Sequence, residues 1–157
     1  MDSLEVIVGI GDPPLEVVVM GQALSRPGVR ALALRFVVLR HDWNGTHWDL
    51  MIEREPGGPL LTWAIERAIT PGIPLPARRL VDHRSAYLDY EGEISGGRGF
   101  VVRWDQGTCE VWNDDGPGLI LNFEGTHLTG RASLRTTSEG GDSGSAPGWV
   151  FVLGNSR

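Results

Sequence analysis

A chain of 157 residues and 17.1 kDa has room for one domain of ordinary size and too little for two with separate large cores. Its one cysteine, Cys109, excludes a disulfide scaffold and any cysteine-rich zinc site. A net charge of −6 argues against a long nucleic-acid track, yet leaves open a small site holding one terminal phosphate.

Residues 1–34 come first. They mix short apolar runs, Val6-Ile7-Val8 and Glu16-Val17-Val18-Val19-Met20, with Gly9, Gly11, Pro13, Pro14 and Pro27. They read as an N-terminal extension, either a hairpin or a poorly ordered leader. The stretch opens with acids, Asp2 and Glu5, so a secretory signal is not expected. No apolar run reaches the roughly 18–20 residues of a membrane span, and the default location is cytoplasmic.

Residues 35–157 read as a single β domain. Candidate strands are Arg35–Arg40, His47–Arg54, Leu60–Ile65, Phe100–Trp104, Thr108–Trp112, Leu119–Glu124 and Arg131–Arg135. Each is short, rich in β-branched and aromatic residues, and bounded by turn chemistry: Asn44-Gly45, Pro56-Gly57-Gly58, Gln106-Gly107, Asp115-Gly116. Residues 136–147 form a low-complexity segment expected to be a flexible loop. Trp149–Leu153 then returns as a last strand. No segment holds a 3.6-residue apolar stripe, so helices should be few and short. The sum is an all-β protein, an antiparallel barrel or sandwich of seven or eight strands.

The densest set of ligand-type residues lies at the first turn. In a strand over 47–53, His47, Asp49, Met51 and Glu53 share one face, and Trp48, Leu50 and Ile52 share the other. A hairpin through Asn44-Gly45 brings His41 beside His47. Two imidazoles and a carboxylate can hold Zn, Mn or Fe(II) with positions left open. The plain alternative is a solvated polar face. A second cluster, Arg78-Arg79-Leu80-Val81-Asp82-His83-Arg84 with Tyr87, suits a phosphate, since arginine offers a fork of donors and histidine can move a proton. Its plain alternative is a charged surface loop. His127 reads as structural or surface. Trp43 and Trp48 could stack on a base, but core packing is the commoner role.

All 14 basic residues are arginine. Without lysine, this stretch cannot form a lysyl adenylate, a Schiff base or a P-loop phosphate contact.

The motifs Phe36-Val37-Val38-Leu39-Arg40-His41-Asp42, His47-Trp48-Asp49-Leu50, Leu61-Thr62-Trp63-Ala64-Ile65, Asp82-His83-Arg84, Tyr87-Leu88-Asp89-Tyr90-Glu91-Gly92 and Arg103-Trp104-Asp105-Gln106-Gly107-Thr108 follow one order. In that order, over about residues 35–153, they resemble the 3′-phosphoesterase domain of bacterial DNA ligase D, a module that also occurs free-standing. The resemblance implies a small β-barrel. It also implies a manganese-dependent enzyme that removes 3′-phosphates and 3′-terminal ribonucleotides from DNA ends during non-homologous end joining. Carried over, the metal ligands are His41, His47 and Asp49, with Zn²⁺ or another divalent ion as substitute. His83 and Tyr87 face the scissile phosphate. Glu53 supports the metal strand, Arg67 stands nearest a family lysine, and Arg78 or Arg79 stands near a family arginine, with Arg79 taken as catalytic.

Two departures follow from the same comparison. The family's phosphate-directed arginine is replaced by Met51, which cannot neutralise phosphate charge. Residues 1–34 lack the family's basic N-terminal character. The expectation is thus a monomeric phosphoesterase, weakened at Met51, acting beside a separate ligase and polymerase. The rival readings are a non-catalytic barrel that binds nucleic acid or protein, and a phosphoesterase for a non-DNA substrate.

Overall fold

The computed structural model describes residues 33–113, 118–137 and 148–154. The expectations for residues 1–32 and 138–147 lie outside the described residues. Strand β1 (Ala33–Asp42) turns through Trp43-Asn44-Gly45 into β2 (Thr46–Glu53). Asn44 and Gly45 take φ of 54° and 98°, a left-handed pair that Asn-Gly adopts at low steric cost. Then follow β3 (Leu60–Ile65), β4 (Leu75–His83), a 3₁₀ turn (Ser85–Asp89), β5 (Gly92–Glu93), β6 (Phe100–Asn113), β7 (Gly118–Gly125), β8 (Thr129–Thr136) and β9 (Trp149–Leu153).

Neighbouring strands run antiparallel in the order β1-β2-β3-β4-β9-β8-β7-β6-β5, and β1 also pairs with β6. The sheet therefore closes on itself through β1, and β5 is an appendage on β6. This agrees with the small antiparallel all-β barrel expected. The closed ring encloses Phe36, Val38, Leu50, Ile52, Trp63, Phe123 and Phe151. Full burial of one such side chain stabilises by about 1.5–3 kcal/mol. A second apolar cluster lies on the outer face of the β1–β2 wall. Val37, Leu39, Met51 and Leu60 pack there under Leu88, Ile94 and Val101. The segment around the 3₁₀ turn thus covers the outer face, and β1 and β2 are buried on both sides.

Three expectations change. Phe100–Trp104 and Thr108–Trp112 are one strand, β6, and Gln106-Gly107 is not a turn. Gly107 sits mid-strand, paired with both Phe36 and Gly125, and a Cβ there would stand 2.1 Å from the Glu124 carbonyl oxygen. The glycine marks a close backbone approach. The arginine-rich cluster at 78–83 is not a surface loop but the second half of β4. Its polar composition hides the strand, because only Leu75 and Ala77 are buried along it. Trp43 is not core: it is 41% exposed at the hairpin turn, whereas Trp48 packs against the core as expected.

Two buried groups outside the apolar clusters are structural. Burial pushes the Cys109 thiol up to about 12, which leaves it unreactive. Asp105, 4% exposed, accepts backbone N–H groups of Gln106, Thr126, His127 and Leu128 at 2.8, 2.8, 2.9 and 2.7 Å. One carboxylate thereby fixes the β7–β8 turn onto β6. His127 completes the clasp by stacking on Trp104, with ring centroids 4.6 Å apart. Among the described residues no helix is long and apolar enough to cross a membrane.

Replacing Asp105 by alanine strands these N–H groups. We expect a loss of about 3 kcal/mol, read as a melting midpoint about 10 °C lower. An unchanged midpoint would show that the turn holds without the carboxylate.

Candidate metal centre

The β1–β2 register sets His41 directly opposite His47 and Leu39 opposite Asp49. Period-two alternation puts His47, Asp49, Met51 and Glu53 on the outer face while Leu50 and Ile52 enter the core. The ligand atoms of His41, His47 and Asp49 lie within 4.8 Å of one another. His41 Nδ1 is 3.3 Å from Asp49 Oδ2, and His47 Nε2 is 3.1 Å from Asp49 Oδ1.

Three observations fit this set to a divalent cation. Asp49 is 3% exposed, and its Oδ1 makes no geometrically sound hydrogen bond despite the nearby imidazole. A buried carboxylate oxygen without a partner is costly unless a cation takes it. His41 Nε2 lies 2.8 Å from the Arg98 carbonyl, which can only accept. The proton therefore belongs on Nε2, and the Nδ1 lone pair faces the cluster, as an outer-shell carbonyl commonly arranges for a metal-binding histidine. Two nitrogens and one oxygen leave open positions and suit Zn, Mn or Fe(II) alike.

Electrostatics in the ion-free cluster follow from the same contacts. The hydrogen bond to Asp49 raises the His41 pKa, against the opposing effect of burial. Burial works to raise the Asp49 carboxyl, but the two imidazoles outweigh it and hold it below the usual carboxylate range.

A small pocket of about 50 Å³ opens over the cluster. His41, Asp49, Met51, His83, Tyr87 and Arg98 contribute to its lining. His83 comes from the end of β4, opposite Leu60. Its Nδ1 donates to the Val81 carbonyl at 2.8 Å, which leaves Nε2 for other work. The His83 and Tyr87 rings meet edge-on, with centroids 5.6 Å apart. Met51 is 1% exposed and forms an apolar floor.

The remaining candidates stand elsewhere. Glu53 shares the face, but its carboxylate accepts from Arg35 N at 2.7 Å and Gly57 N at 3.0 Å, tying together strand ends. Arg79 lies over Trp63, 5.0 Å from the ring centroid, and binds Asp82 at 2.9 Å, which clamps β4 onto β3. Arg78 pairs with Glu66 at 2.7 Å. Arg67 is exposed in the turn after β3. None of these four lines the pocket. Arg98 does, although nothing in the sequence pattern singles it out. It sits alone in the glycine-rich run Gly96-Gly97-Arg98-Gly99, where no periodicity points to a site.

If the cluster binds a cation, Mn²⁺ raises the melting midpoint of the wild-type protein and leaves that of Asp49→Ala unchanged. Proton and cation compete for His41, whose pKa is raised. Affinity should therefore climb as pH rises through a range displaced above the ordinary histidine value, with proton release on binding. Calorimetry in two buffers of different ionisation enthalpy checks both. A flat pH dependence would remove His41 from the ligand set.

Comparison with known proteins agrees with this geometry. No curated protein matches the chain. A family model, described as the DNA ligase D 3′-phosphoesterase domain, matches residues 39–136. That stretch is more than half of the chain and contains His41, His47, Asp49, His83 and Tyr87. With its closed β-sheet and its histidine–aspartate cluster on the matched strands, the chain belongs to the DNA ligase D 3′-phosphoesterase domain family.

Proposed function

We propose that the protein is a manganese-dependent phosphoesterase that removes a 3′-phosphate or a 3′-terminal ribonucleotide from DNA ends. The observation that carries this reading is the pocket in which His41 and Asp49 converge with His83 and Tyr87. His41, His47 and Asp49 would hold the cation, which when bound supplies Lewis-acid stabilisation of charge on the phosphoryl oxygens.

The chain's own residues do the rest. Water adds through its oxygen to phosphorus, keeping one hydrogen and releasing the other to solvent, as the bond from phosphorus to the 3′ oxygen breaks. The departing oxygen needs a proton, and His83 Nε2 supplies it when the ring is charged. The Val81 carbonyl keeps Nδ1 protonated throughout, so proton transfer is confined to Nε2. Tyr87, edge-on to His83, orients the phosphate. Arg98 brings positive charge to the pocket rim in a chain whose net charge is −6. The buried Met51 supports a reduced rate, because it offers no charge to the transition state. On this reading the protein works as a single cytoplasmic chain, and a separate polymerase and ligase act on the healed end.

The direct experiment follows a labelled primer–template ending in a 3′-phosphate or a single ribonucleotide, with Mn²⁺, with Zn²⁺ and with EDTA. We expect metal-dependent conversion that His47→Ala abolishes and that His83→Ala slows by about 100-fold or more. Turnover that persists in EDTA, or in His47→Ala at limiting metal, would sink the proposal. A folded, Mn²⁺-binding protein inactive on both ends would point to another phosphoester.

A further inference from the structure

A second, larger cavity of about 240 Å³ opens beside the metal pocket. Arg84, Tyr87, Tyr90, Glu93 and Ile94 supply most of its walls. We infer that it receives the nucleoside attached to the phosphate held at the metal centre, with the base against Tyr90 and Tyr87. The inference rests on the phosphoesterase reading for the phosphate, and on independent features of the cavity for the nucleoside.

Position comes first. Tyr87 and Ile94 line both the cavity and the metal pocket. A phosphate in the small pocket therefore has its ester substituent at the mouth of the large one. Size comes next. The volume falls just under the roughly 300–1,000 Å³ that holds drug-sized ligands, which suits one ring system and its sugar rather than a run of nucleotides.

The walls specify the chemistry. Tyr87 and Tyr90 meet at 90° with centroids 5.9 Å apart, giving a corner of two aromatic surfaces. The Tyr90 hydroxyl donates to the Glu93 carbonyl, so that ring is held in place before any ligand arrives. The Arg84 guanidinium carbon lies 6.0 Å from the Tyr87 ring centroid, adding a further planar cation beside the corner. One arginine and one glutamate cancel in formal charge, so a second phosphate gains no net attraction here. A neutral flat group with donors and acceptors gains both stacking and hydrogen bonds. A nucleobase on its sugar is such a group, and stacking of this kind tolerates any base.

The test separates the base from the phosphate. Calorimetry in the presence of Mn²⁺ compares thymidine 3′-monophosphate with the base-free deoxyribose phosphate. Wild-type protein should bind the thymidine compound about tenfold tighter, the gain expected of one stacked base. Tyr90→Ala should erase that difference, and Tyr90→Phe, which keeps the ring, should preserve it. Melting curves verify that each variant is folded. Equal binding of the two compounds by wild-type protein, or a tenfold preference surviving in folded Tyr90→Ala, would overturn the inference. Turnover of a 3′-phosphate primer is read separately. A base preference without turnover on any end leaves the subsite standing and removes the DNA-end reading; turnover with no base preference does the reverse.

Discussion

The whole molecule depends on β1 being paired along both of its edges. Through β2 on one side and β6 on the other, this strand closes the sheet. A strand held on both sides cannot slip by one residue without exchanging its two faces. Here both faces are apolar and covered, so such a slip would lose Phe36 and Val38 from inside the ring and Val37 and Leu39 from outside it. The same constraint that protects the core therefore keeps His41 opposite His47. The cluster's geometry is a by-product of register and needs no special loop to hold it.

Three buried carboxylates show how environment assigns a role. Glu53 and Asp105 each accept backbone N–H groups and fasten loops to strands. Asp49 is equally buried but faces two imidazoles and leaves one oxygen without a hydrogen bond. Burial alone does not distinguish a structural acid from a ligand. What distinguishes them is whether the partners are fixed donors of the main chain or groups that a cation can share. By this criterion Asp49 is the exception among the three.

Much of this was legible in the residues, and the gaps have physical causes. Alternation in His47–Glu53 separates ligand face from core face without any structure, because strand side chains must alternate. The Asn-Gly turn then fixes which histidines meet. The 78–83 segment was misread because charged residues fill a strand whose second half has few buried positions. Gly107 was misread because a glycine gives the same signal at a turn and at a crowded backbone crossing. Asp105 uses its carboxylate to receive main-chain N–H groups, and Arg98 offers its main-chain carbonyl to His41. Main-chain roles leave no trace in side-chain pattern. The family resemblance located His83 and Tyr87 in the sequence, but only the fold brings the end of β4 and the 3₁₀ turn together over the strand that carries His47 and Asp49.

The ring is not equally strong all the way round. Among the described residues β4 and β9 pair only over Leu75–Ala77 against Trp149–Phe151, with the Pro76 carbonyl turned away to accept from Glu66 N, and one further backbone bond runs from Gly72 N to the Leu153 carbonyl. Local opening costs least where few backbone bonds must break, so hydrogen exchange should be fastest along this junction and slowest along β1. The seam lies on the strand that ends in His83. His83 stands at the far end of that strand, paired opposite Leu60, so this junction can open while the side chains around the small pocket stay in place.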